Sequence, residues 1–284
     1  MNKPLYAAIF IAALVFFTAC KDDTDKKNSE ATAPYNIDAV QIPKVVADSM
    51  KSSFLKSTYP ELKKLNKNNV QNFDIGMDRY FKLINDFPVD ADSLRVYFIQ
   101  KRKKNIPDLD ADINKSMDKC LYMAYCYTAK GKIVSDFYTF LSKDSILQLK
   151  LSDFEAMYKD YKKNIRTHIK NPKEPNGNTK FIIIDKKGLQ AHKAKIEASK
   201  LPNLAVRLCF ANTIAFEQNS IFAQDMTIFT QLRTKYARTA PGQLTVVTDV
   251  FNTTTNEDVD DLSSYDMNTL CPDICPGDDD DDVE

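Results

Sequence analysis

The chain has 284 residues, with 39 Lys+Arg balanced by 39 Asp+Glu. That leaves no basic excess to suggest nucleic acid and no net acidity to suggest global disorder. Twelve prolines, six glycines, no tryptophan, 13 tyrosines and 17 phenylalanines point to an ordinary globular chain with a core of Phe, Tyr, Leu and Ile. There is no Gly-x-Ser-x-Gly, no metal-ligand helix and no phosphate-cradling loop, so common hydrolase and nucleotide signatures are absent.

Residues 1–19 read as an export signal. Lys3 precedes an apolar run from Leu5 to Phe17, and Thr18-Ala19-Cys20 leads into the polar stretch Lys21 to Glu30. The run is shorter than the roughly 20 residues a helix needs to cross a bilayer. Phe17-Thr18-Ala19-Cys20 resembles the lipobox of bacterial lipoproteins, with Phe17 where Leu is more usual. The resemblance implies cleavage before Cys20 and acylation of that cysteine, a palmitate-type anchor that makes the membrane the expected partner. Lys21-Asp22-Asp23 resembles the Lys-acid-acid export signal of surface lipoproteins in the Bacteroidota, which implies an outer-membrane protein facing the cell surface, the alternative being the periplasm. Residues 20–43 read as the lipidated cysteine and a flexible tether, extending to roughly 75–80 Å and averaging nearer 25–29 Å as a coil.

From Lys44 to Ser57 the apolar residues Val45, Val46, Met50, Phe54 and Leu55 recur at helical spacing, and a short helix is expected from Pro60. Asp74 to Phe87 is likewise predicted helical, stopped by Pro88. Leu94–Ile99 and Leu121–Thr128 are β-branched and aromatic, and read as strands joined by a long polar loop. Helical spacing is then read at Phe137, Phe140 and Leu141, and again from Phe154 to Ile165 with a capping box at Ser152. Asn171 to Asn178 is the clearest break, and separates a first α+β unit (44–170) from a second (171–255). After it come a buried run at Lys180–Asp185, a helix over Gly188–Ala198, and strands at Ala205–Ala211 and Leu244–Phe251.

The order of the first unit thus returns in the second. An offset of 112 sets Gly76 on Gly188, Ile84 on Ile196, Arg95 on Arg207 and Phe98 on Phe210, and an offset of 123 sets Leu121 on Leu244. The expected fold class is α+β, two related helix-strand-strand units forming an antiparallel sheet with helices packed on it. Residues 256–284 form a C-terminal Cys-Pro segment and an acidic tail. Leu94-Arg95-Val96-Tyr97-Phe98 and the closing Tyr265 to Pro276 resemble a group of Bacteroidota (Flavobacteria-type) surface lipoproteins with a Cys-Pro tail; the resemblance implies location and fold, and no activity.

Few residues suggest chemistry. His168 and His192 carry no carboxylate at ligand spacing and read as structural or surface residues. Cys271 and Cys275 form the disulfide candidate, while Cys120 and Cys126 share one face of a strand too far apart to bond. The pairing of Cys209 is left open. Asp278 to Asp282 lacks the spacing of a calcium loop. Arg95 and Arg207 are the possible ligand-binding residues, as a repeated pair for an anion, set against an inter-strand salt bridge. The expectation is therefore a non-enzymatic surface binding or structural component, without cofactor or metal, whose partner is a glycan or a protein. The alternative is a lipid-anchored glycan or peptide hydrolase.

Overall fold

A computed structural model of the chain describes residues 40–108, 117–169, 178–214, 241–266 and 268–271. Cys20 and Cys275 lie outside them, as does the acidic tail. The elements are β1 (Val40–Gln41), α1 (Lys44–Ser53), α2 (Tyr59–Leu65), β2 (Asn72–Gly76), α3 (Met77–Asn85), β3 (Ser93–Gln100), β4 (Leu121–Ala129), β5 (Lys132–Ile133), β6 (Phe137–Ser142), β7 (Ser145–Leu149), α4 (Leu151–Asp160), β8 (Phe181–Asp185), α5 (Lys186–Ser199), β9 (Leu204–Asn212), β10 (Leu244–Asn252), β11 (Tyr265–Asp266) and β12 (Asn268–Cys271). A π-helical turn, Phe54–Thr58, joins α1 to α2, and another, Tyr161–Arg166, extends α4.

The fold is α+β and its sheets are antiparallel, as the sequence led us to expect. The strands divide between two sheets, where the sequence reading expected a single one. The first has the order β1-β11-β10-β9-β2, and the second β12-β8-β3-β4-β6-β7 with β5 beside β4. β3 is buried almost throughout and sits between β8 and β4, whereas β2 at an edge alternates half-buried and buried.

The two related units are visible in the register. Arg95 faces Cys126 on β4, and Arg207 faces Asp249 on β10, so β3 and β9 correspond at an offset of 112 and β4 and β10 at 123. Each unit runs strand, helix, strand, strand. The leading strands are exchanged: β2 pairs with β9 of the second unit, and β8 pairs with β3 of the first.

The ungapped 112 offset holds along the helices, where buried Tyr80 and Ile84 of α3 match buried His192 and Ile196 of α5, and fails at their starts. Gly76 immediately precedes α3, whereas Gly188 is the third residue of α5, whose N-cap is Asp185. The region from Asp74 is also strand before it is helix, because Phe73 and Ile75 alternate into the core while Asp74 pairs across to Arg207. Phe137, Phe140 and Leu141 are not helical but belong to the β6–β7 hairpin; the aromatic pairs read at helical spacing are split between the two faces of a strand. The capping box is absent too, since α4 starts at Leu151 and Lys150 is its cap residue.

The layers follow from which faces are apolar. Val46, Ala47 and Met50 of α1 pack on Ala211 and Val247, covering the outer face of the first sheet. Its other face joins the main core, where Phe210 touches Phe98 of the second sheet at 6.2 Å. The far face of the second sheet lies under α4, whose Phe154 stacks on Phe137 at 3.7 Å and meets Tyr97 at 5.0 Å. The tip of the β6–β7 hairpin seats against Gly76, whose N–H donates to Lys143 O at 2.7 Å. A Cβ there would meet Lys143 O at 3.1 Å and the tip of the exposed Asp144 side chain at 2.7 Å, so a larger residue would make Asp144 swing away and the hairpin tip give slightly.

Candidate functional site

By strand periodicity Asp74, Arg207, Cys209 and Asp249 all project from the outer face of the first sheet. Arg207 donates from Nε and Nη2 to the two carboxylate oxygens of Asp74 at 2.8 and 3.2 Å, and from Nη2 to Asn256 Oδ1 at 2.9 Å. Its guanidinium stands 4.1 Å from the Phe251 ring. The bond to Asp74 holds Arg207 further toward its charged form, against the opposing effect of burial. This is a bidentate pair between adjacent strands, the alternative weighed for this residue from sequence.

Next to it, Asp249 is buried and fully engaged. Its Oδ2 accepts from Lys51 Nζ of α1 at 3.0 Å and from Cys209 Sγ at 3.4 Å, and its Oδ1 accepts from Ser264 N at 2.9 Å. Burial works against the charge on Lys51, but the Asp249 carboxylate more than offsets it and raises the pKa. The Cys209 thiol is pushed well up, by burial first and then by Asp249. A thiol so placed is not a nucleophile at neutral pH. Cys120 and Cys126 are also free and buried, each pushed up to about 12 by burial.

Arg95 lies at the corresponding place in the second sheet, and is 5% exposed. It donates from Nη1 to Tyr97 Oη at 3.1 Å and from Nη2 to Gly131 O at 2.7 Å, with Phe181 4.5 Å from the guanidinium carbon. The two arginines therefore sit on central strands of different sheets, each with its own partners. They do not form one anion site.

His192 is buried between the units. The Leu262 carbonyl can only accept, so Nε2 carries the proton and donates to it at 3.0 Å, while Nδ1 accepts from Tyr80 Oη at 2.7 Å. The Tyr265 ring packs at 4.1 Å. Burial drives its pKa down to about 4, overriding the carbonyl bond, and Lys195 adds to the fall. It is a neutral structural histidine. His168 lies at the surface, 3.6 Å from Glu61.

No family model, curated protein or solved structure matches the chain. The site must be judged on its own geometry. Among the described residues no group of His, Cys, Asp and Glu is arranged to hold a metal, and no helix is long and apolar enough to cross a membrane. A shallow depression along the solvent face of α1, lined by Lys44, Val45, Asp48, Ser49, Ser52 and Lys56, mixes charges without converging donors. Of the candidate disulfide, Cys271 is in β12 and Cys275 lies outside the described residues.

Sequence reasoning did not single out Asp74, Asp249 and Lys51. A signal was present for Asp249. It is an acid inside the β-branched run Leu244–Phe251, and a carboxylate flanked by Thr248 and Val250 in a buried strand requires a partner.

Proposed function

We propose that the chain is a lipid-anchored component of the outer membrane, exposed at the surface, that binds or scaffolds rather than catalyses. The observation that carries this reading is the arrangement at the N-terminus. A short apolar run ends in Thr18-Ala19-Cys20, and a polar stretch then separates that cysteine from the first described strand at Val40. Acyl chains on Cys20 would supply about 0.8 kcal/mol per buried methylene, and two or more give stable anchoring.

The geometry supports binding over chemistry. The groups best suited to acid-base or nucleophilic work hold the fold together instead: His192 uses both ring nitrogens, Arg207 is paired, and the Cys209 thiol is held protonated. Recognition needs only a rim of aromatic and arginine side chains. A glycan or a protein is the ligand class. Cys20→Ala should move the protein from the membrane to the soluble fraction; continued dependence on detergent would rule out the anchor. Screening the purified chain against glycan and peptide hydrolase substrates should show no turnover, and turnover abolished by a single carboxylate or histidine substitution would establish the anchored hydrolase in its place.

A further inference from the structure

The two arginines occupy equivalent places in the duplicated fold, and comparing them shows what Arg95 lacks. Arg207 is flanked in register by Asp74 on β2 and Asp249 on β10; Arg95 is flanked by Ile183 on β8 and Cys126 on β4. The remaining surroundings are alike in kind but not in position: Phe251 stands on β10, the next strand of the same unit as Arg207, and Phe181 on β8, the leading strand of the other unit from Arg95, and Arg95 alone donates to a tyrosine, Tyr97 Oη at 3.1 Å. Each guanidinium lies against a phenylalanine, Phe251 at 4.1 Å or Phe181 at 4.5 Å. In each, Nη2 donates into the turn that follows the third strand of its unit, to Asn256 Oδ1 at 2.9 Å or to Gly131 O at 2.7 Å.

The acid is present beside only one of them. Arg207 turns its side-on fork, Nε with Nη2, onto the Asp74 carboxylate. The same edge of Arg95 meets no acid: its Nε is buried without a hydrogen-bond partner, and among the described residues no carboxylate pairs with it. A buried guanidinium whose Nε lacks a partner, on the edge that takes a carboxylate elsewhere in the same chain, has a hydrogen-bonding demand that a carboxylate would meet. We propose that Arg95 binds an external carboxylate, the group that Asp74 supplies to Arg207. A carboxylate would reach Arg95 only by displacing the turn between β4 and β5, where Lys130 and Gly131 both have positive φ (50° and 81°) and the half-buried Gly131 carbonyl covers Nη2. Lys130 and Lys132, both exposed, flank that turn and favour an anion.

The proposal deepens the binding reading and rests on it for its biological meaning. The test is a titration of the purified full-length chain in mild detergent with sodium acetate, against sodium chloride at matched ionic strength. The Arg95 Nε–H resonance, assigned by its loss in Arg95→Met, should shift saturably with acetate and stay still with chloride. Acetate should raise the melting temperature of the parent and not of Arg95→Met. Ile183→Asp places an acid where Asp74 stands beside Arg207; it should fill the fork and abolish the acetate response in a folded protein. This second variant decides the matter if Arg95→Met does not fold. An Nε–H that acetate leaves unmoved, or an equal response in parent and Ile183→Asp, overturns the site. Glucuronate and N-acetylglycine carry the same group on a sugar and on a peptide, and tighter saturation by one of them assigns the source. An unresponsive Arg95 would leave the anchored binding reading standing, whereas turnover in the hydrolase screen would remove that reading with the titration intact.

Discussion

Two residues test how the polar interior is held. His192 has its folded pKa lowered to about 4 from an ordinary 6.5, so the folded state resists a proton that the unfolded chain accepts. Stability from this group is present above the unfolded value and falls with pH across the window between the two, by about 3 kcal/mol in all. His192→Gln should flatten that part of the curve, measured as urea stability of variant and parent from pH 7 to pH 4; parallel curves would show that the histidine is not held neutral. Lys51 bears on the opposite case, a buried charge that has its partner. Lys51→Met strands the Asp249 carboxylate, whose side chain is 2% exposed, and should cost about 3 kcal/mol, with Lys51→Met/Asp249→Asn recovering most of it. A single variant as stable as the double would mean that the pair contributes nothing.

At the scale of elements, the exchange of leading strands can be checked chemically. Asn72 lies opposite Cys209, and because Phe210 N–H donates to Gln71 O, the 72/209 pair is a non-hydrogen-bonded one with Cα atoms about 4.5 Å apart. That is within disulfide reach. Asn72→Cys should form a bond to Cys209 on oxidation, recovered as a linked peptide from a non-reduced digest; pairing with Cys120 or Cys126 instead would contradict the topology. The central strands were legible in the sequence because Leu94–Ile99 and Leu244–Phe251 are dense in β-branched and aromatic residues, each with a single charge, Arg95 or Asp249. The leading strand β2 was not. Five residues alternating at Asn72–Gly76 run directly into the helical spacing of Tyr80 and Ile84, and a short strand beside a helix leaves no breaker between them except Gly76. The β6–β7 hairpin escaped for a related reason, since aromatics three apart fit a helix face as well as two sides of a strand. Of the candidate site, the arginines were legible as a repeat. Their partners were not, because Asp74 and Ile183 reach them only through a crossed pairing that neither unit's own sequence encodes.

For the whole molecule, the crossed pairing means that neither unit contains a complete sheet. Residues 40–169 include β2 without β9, and β3 without β8. That segment expressed alone should not be a cooperatively folded monomer, and a sharp two-state melt from a monomeric sample would show that the exchange is dispensable. The sequence placed a boundary at Asn171–Asn178, of which only Asn178 is among the described residues. The two units nevertheless share a single apolar core, in which Phe73 and Phe98, from the first, both pack against Phe210, from the second.

The entry of the chain into this core has a mechanical side. Gln41 donates from Nε2 to the carbonyls of Asp260 and Ser263, each at 3.1 Å, and accepts from Lys195 at 2.8 Å, while Ile42 N–H donates to Ser264 O at 2.9 Å. β1 lies antiparallel to β11. Tension drawn along the chain toward its N-terminus would therefore load these bonds in shear, sharing the force among them instead of peeling them one at a time. The two residues of β1 would act as a grip, and the docking of α1 through Lys51 and Met50 would feel the pull only after that grip had given way.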